Sequence, residues 1–226
     1  MKTGKSWGPL HPETETVERL AKTTLPRERQ LELYHYTRNA NRHMPLAAAH
    51  CRSKPVKALL AKHYEEEWNH YHFFSRAAAA MGVDPQALRD CAPLPMTLAM
   101  SDFMRQAART DILGYAICSA VLEGTTVDGG AFHPFYESVQ ALYGVPKAAV
   151  APIYEHLALD GKYQHADLFA EICSQEPQID AGRAATVLDF GHQMAEHIWL
   201  WTDNIEQHYG NEHNPMPRPF FDTHFD

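Results

Sequence analysis

Apolar side chains recur at intervals of three and four almost throughout this chain, and no stretch alternates apolar with polar residues in the way that builds a sheet. The chain is therefore read as all-α. Helical spacing runs from Arg27 to His50 through Leu31, Tyr34, Thr37, Arg38 and Asn41. A second helix is predicted from Lys54 to Met81, stopped by Gly82, with Asp84-Pro85 as a restart signal. Beyond the proline-bearing loop Cys91 to Pro95, further helices are predicted over 97–108, 111–127, 134–143, 146–173 and 181–209, with Asp128-Gly129-Gly130 as a break. The economical solution is one bundle of seven to eight helices over 1–210, followed by a Pro-rich arm over 211–226.

Composition narrows the partners. Twenty-eight acidic against 20 basic residues leave a formal charge of -8, which argues against nucleic acid or an anionic membrane surface as a partner. No apolar run is long enough to cross a bilayer and the N-terminus has no signal-peptide pattern, so a cytoplasmic protein is expected. Cys51, Cys91, Cys118 and Cys173 form no CxxC pair and suggest neither a disulfide framework nor a thiolate metal site. Fifteen histidines point instead to metal or proton chemistry.

Three clusters carry that chemistry. In His63-Tyr64-Glu65-Glu66-Glu67-Trp68-Asn69-His70, the apolar stripe through Leu60, Tyr64, Tyr71 and Phe74 contains Glu67, so a carboxylate points at the core and needs a cation there. His70 follows at the edge of the same face. The Glu67-x-x-His70 spacing is the one with which helical bundles hold carboxylate-bridged di-iron centres. Glu123 is the one acidic or basic side chain between Asp111 and Asp128, among small residues that include Ser119 and Thr126. His156 and Asp160 stack one helical turn apart and can share an ion. His165, nine residues after His156, falls about half a turn away on an ideal helix; a π-bulge near Gly161 would return it, and otherwise Tyr163 takes the favourable position. Nitrogen and oxygen donors in this mixture suit iron or manganese.

At these residues the sequence resembles the heme-oxygenase-like di-iron oxidases and oxygenases, which share a fold with the TenA and PQQ-synthase proteins. The nearest likeness is to the branch that turns medium-chain fatty acids into terminal alkenes. The matching stretches are Glu67-Trp68-Asn69-His70 with Gly82-Val83, Leu122-Glu123-Gly124-Thr125-Thr126, and His156-Leu157-Ala158-Leu159-Asp160 with His165-Ala166. The resemblance implies that Glu67 and His70 serve one iron, that His156, Asp160 and His165 serve the other, and that Glu123 bridges or binds the second. It implies two Fe(II) ions and O2 as cofactors, Glu67, Glu123 and Asp160 as the carboxylates of the reaction, and a heme-oxygenase-like bundle. One departure stands out: Gly161, Lys162, Tyr163 and Gln164 separate Asp160 from His165, where the family has two residues.

The expected activity is an O2-dependent desaturation, C–C cleavage or related C–H or N–H oxidation in a biosynthetic pathway. Arg38 and Arg42, with Ser119 and Thr126, suggest a small carboxylate substrate, a free amino acid, paired to an arginine. An external reductant and a homodimer are the expected partners. The alternatives are a fatty-acid oxidative decarboxylase, a metal-free TenA-like acid–base enzyme, and a non-catalytic helical dimerisation protein. His63 is a candidate donor to a ligand, Glu196 and His197 are candidates for a similar supporting role, His72 is expected to face solvent, and Trp199 and Trp201 are expected to pack the core or line the cavity.

Overall fold

The computed structural model describes residues 26–123, 132–163, 165–175 and 179–210, and all of its regular structure is helical. In chain order the helices are α1 (Pro26–His50), α2 (Lys54–Glu67), α3 (Tyr71–Ala80), α4 (Pro85–Asp90), α5 (Pro95–Thr110), α6 (Ile112–Glu123), α7 (Phe132–Tyr143), α8 (Lys147–Tyr163), α9 (Leu168–Ser174) and α10 (Ala181–Tyr209). A 3-10 turn, His165–Asp167, joins α8 to α9. The arm over 211–226, the segment after Glu123, and with it Thr126, lie outside the described residues.

Local chemistry sets most boundaries. Ser53 opens α2 by accepting from Val56 N, with Pro55 in the first turn where no amide is needed. Asp84 and Asp180 cap α4 and α10 in the same manner. Asp111 accepts from Leu113 N and Gly114 N at the start of α6 and also binds Arg183 of α10, so one carboxylate ties two helices together. Helices α6 and α10 approach closely: a Cβ built on Gly114 would stand 2.6 Å from the Phe190 ring, and one on Gly191 would stand 3.0 Å from Ile117. Their contact supplies the centre of the main core, with Met100, Met104, Leu113, Tyr115, Met194 and Trp201 all fully or nearly fully buried.

Two long helices expected from periodicity are broken. The one from Lys54 to Met81 divides at Trp68–His70, where His70 N bonds to Glu67 O, His72 N to Asn69 O and Phe73 N to His70 O, all i→i+3. Nothing in the local sequence is a strong breaker. The break has a tertiary partner in Asn41, whose Nδ2 donates to Trp68 O at 2.8 Å. The one from 146 to 173 divides after Tyr163, two residues beyond Gly161. Both breaks lie at the polar cluster described next.

Candidate metal centre

The break after Glu67 decides the geometry of the first pair. A 3-10 turn has three residues per turn, so side chains at i and i+3 eclipse, whereas on an α-helix they would lie about 60° apart. Glu67 and His70 therefore point the same way, with His70 Nδ1 2.8 Å from Glu67 Oε2, and His70 is buried rather than at the edge of the face. From α8, His156 Nδ1 approaches Asp160 Oδ2 at 3.1 Å, and the His156 and His70 rings meet at 4.7 Å between centroids. The 3-10 turn contributes His165, whose Nδ1 lies 2.7 Å from Glu67 Oε1 and 3.4 Å from Asp160 Oδ1.

Two expectations are corrected here. No π-bulge carries His165 inward among the described residues; α8 stops at Tyr163 and the change to 3-10 geometry re-aims the chain. Tyr163 stacks on the His165 ring at 5.7 Å instead of taking its place. Glu67, His70 and His156 offer donor atoms within 4.8 Å of one another, as do Glu67, Asp160 and His165, so Glu67 belongs to both groups and His156 sits with His70.

These contacts are close but misaligned. Glu67 Oε1, His70 Nδ1, both Asp160 oxygens and both His165 nitrogens are buried without a hydrogen-bond partner among the described residues. Cis ligands bonded to one transition ion at about 2.0–2.2 Å stand about 3 Å apart and aim their lone pairs at the ion, not at each other. Separations of 2.7–3.4 Å with poor hydrogen-bond angles match that requirement. No cysteine belongs to the cluster. The residues fit iron or manganese.

Burial and crowding shift the proton affinities of these groups. Burial pushes the Glu123 carboxyl well above its usual range, and the Glu67 and Asp160 carboxylates add to the shift. Burial would also raise Glu67, but the His165 and His70 imidazoles outweigh it and hold that carboxyl low. Burial would lower His165, yet Asp160 and Glu67 raise it to about 10. Burial lowers His156, with Asp160 opposing the shift.

Beside the cluster lies a cavity of ≈60 Å³ bordered by Glu67, Glu123 and His156. Its polar lining is Tyr36, Thr37 and His43 from α1 and Ser119 from α6; Ala40, Met44, Met104 and Leu122 close it with apolar surface. His43 is buried, shares a 3.1 Å hydrogen bond between its Nδ1 and Tyr115 OH, and leaves Nε2 without a partner among the described residues. Arg38 and Arg42 do not line this cavity. Both are exposed, because one residue on α1 turns the side chain about 100° from the inward direction of Thr37. Glu196 is exposed and His197 stacks on Phe103, both away from the cluster. Trp199 is also exposed, 63% accessible, being two residues and thus about 200° from buried Trp201.

A family model described as iron-containing redox enzyme, of the heme-oxygenase type, matches residues 27–198. The chain belongs to that family. No curated protein matches it. Among solved structures, the chain is similar to a Shewanella denitrificans domain of unknown function with a heme oxygenase-like fold, at 18% identity and TM-score 0.74, over 93% of this chain and 90% of the other. It is also similar to a TenA homolog from Pseudomonas syringae pv. tomato, at 14% identity and TM-score 0.65, over 84% of each chain. These neighbours establish the heme oxygenase-like all-α fold. Among the described residues, no helix is long and apolar enough to cross a membrane.

Proposed function

We propose that the chain is a non-heme di-iron, O2-dependent oxidase or oxygenase acting on a small carboxylate substrate, a free amino acid. Glu67, His70 and His156 would hold one ion, and Asp160 and His165, with Glu123 and a shared Glu67, the other. The observation that carries this reading is the concentration of buried nitrogen and oxygen atoms that converge without hydrogen-bond partners. Two ferrous ions bound there would supply electrons to dioxygen, generating the oxidant for a substrate C–H or N–H bond, with an external reductant restoring them.

The chain's own residues do the rest. Glu67, Asp160 and Glu123 would hold and neutralise the ions with their carboxylates. Met44, Met104 and Leu122 keep bulk water from the reacting bond. Thr37, Ser119 and His43 offer hydrogen bonds that orient a polar substrate. Arg38 and Arg42 have no part in this, being exposed. The cavity volume, ≈60 Å³, is far below the roughly 300–1,000 Å³ of pockets that enclose larger ligands. That favours an amino acid over the medium-chain fatty acids of the alkene-forming branch.

The test is iron per chain after anaerobic Fe(II) loading, followed by oxygen consumption with panels of amino acids and fatty acids. Two irons per chain in wild type, and a loss of both iron and turnover in Glu67→Ala and His156→Ala, are the expected results. Wild-type turnover in either variant refutes the ligand assignment. A second reading, a metal-free acid–base enzyme, draws on the Glu123 carboxyl, pushed above its usual range by burial, and on the likeness to a TenA homolog. It requires full activity in chelator.

A further inference from the structure

One imidazole in the cluster faces two ways. His165 turns Nδ1 toward Glu67 and Asp160, while its Nε2 lies 3.5 Å from Glu66 Oε2, on the opposite side of the ring. His63 packs edge-on against the same ring at 4.9 Å between centroids. One donor atom each from His63, Glu66 and His165 lies within 4.8 Å of the other two. His63 Nε2 and His165 Nε2 are both buried without partners among the described residues, in residues only 3% exposed. Two imidazoles and a carboxylate make a three-ligand set, sufficient for a divalent transition ion. None of the inner carboxylates is needed for it.

This outer group lies nearer solvent than Glu67 and Asp160, while His156 of the inner cluster is as exposed at its side chain as Glu66, 15%. The Glu66 side chain is 15% exposed, against 5% for Glu67 and 0% for Asp160. Its other oxygen, Oε1, faces the exposed Lys62 ammonium at 3.8 Å, so Oε2 is the one available inward. A neutral imidazole has one nitrogen lone pair at a time. With the proton on Nδ1, directed at Glu67 and Asp160, His165 binds an ion at Nε2; with the proton on Nε2, directed at Glu66, it binds one at Nδ1. Outer and inner occupancy through His165 thus alternate.

We infer that His63, Glu66 and His165 Nε2 form an outer entry station, which captures a divalent transition ion and passes it through His165 to the inner carboxylates. The inference rests on the reading of the inner cluster as a metal centre. Anaerobic stopped-flow uptake of Co(II), followed by its visible absorption in the full-length chain, tests it. His63→Ala and Glu66→Gln should reach the wild-type plateau about tenfold or more slowly, the scale on which loss of a supporting group acts at metal sites. Glu67→Ala should lower the plateau itself. Uptake at the wild-type rate in Glu66→Gln overturns the entry station, as does a lowered plateau with an unchanged rate. If His63→Ala does not fold, Glu66→Gln decides alone, because its carboxylate is partly exposed and its shape is kept. No Co(II) uptake by wild type would instead refute the inner centre.

Discussion

Replacing His43 with leucine should make the chain less sensitive to acid, by an amount that burial sets. His43 is 2% exposed, and desolvation lowers its pKa to about 3, with Arg105 adding to the shift. In the unfolded chain the ring titrates near 6.5. The folded value is depressed, so as pH falls below 6.5 the unfolded state takes up a proton that the folded state refuses. Stability is then lost at about 1.4 kcal/mol per pH unit until the folded value is reached. At pH 7 the cost is about 0.2 kcal/mol; at pH 5 it is about 2 kcal/mol, since the unfolded ring is almost fully charged and the buried one still neutral. The lost hydrogen bond to Tyr115 and any cavity effect are the same at both pH values and cancel in the comparison. Urea melts of metal-free wild type and His43→Leu at pH 7 and pH 5 therefore give two differences, and those should differ by about 2 kcal/mol in favour of the variant at pH 5. A change below about 0.5 kcal/mol would mean that the ring titrates as if solvated, and the description of the cavity wall as dry would fail.

Gly114→Ala should cost about 1–3 kcal/mol, read as a lowered urea midpoint, since its new methyl group meets the Phe190 ring at 2.6 Å. A neutral result would show that α6 and α10 are less closely packed. Asn41→Ala should cost about 1–2 kcal/mol and lower iron occupancy, because it strips the Trp68 carbonyl of its partner at the break that aligns Glu67 with His70. Loss of stability with full iron would separate the break from the site. Mn(II) at about 100 times its dissociation constant should stabilise the chain by about 2.7 kcal/mol, near 5–10 °C in melting temperature. Chelator should reverse the gain and Glu67→Gln should abolish it; a Glu67→Gln chain that still gains would exclude that carboxylate as a ligand.

The helices were readable because apolar spacing needs no tertiary information, and α1 and α10 match their expected limits to within a residue at either end. The breaks were not. Trp68-Asn69-His70 contains neither glycine nor proline, and the group that supports it, Asn41, is 27 residues away on α1. Gly161 gave a weak hint that α8 would not continue, since glycine costs about 1 kcal/mol within a helix. His63 was legible in principle: Val56, Leu60, His63 and Glu67 recur at four, three and four and are all buried, so the stripe that turned Glu67 inward turns His63 inward as well.

The arginines on α1 show why a face cannot be chosen from polarity when the core itself is polar. Glu32, His35 and His43 are all buried on that helix, alongside Leu31 and Tyr34, so its inward stripe contains acids and imidazoles. Arg38 and Arg42 lie between them in sequence and outside them in space. A buried carboxylate or imidazole normally marks its place by the partner that satisfies it: Glu32 accepts from Leu94 N and Tyr209 OH, and His35 Nε2 meets Cys91 Sγ at 3.1 Å. Around Glu67, Asp160 and His165 the converging atoms have none among the described residues, even at 2.7 Å. That distinction between a satisfied polar core and a convergent one is angular, and no spacing of letters along a chain contains it.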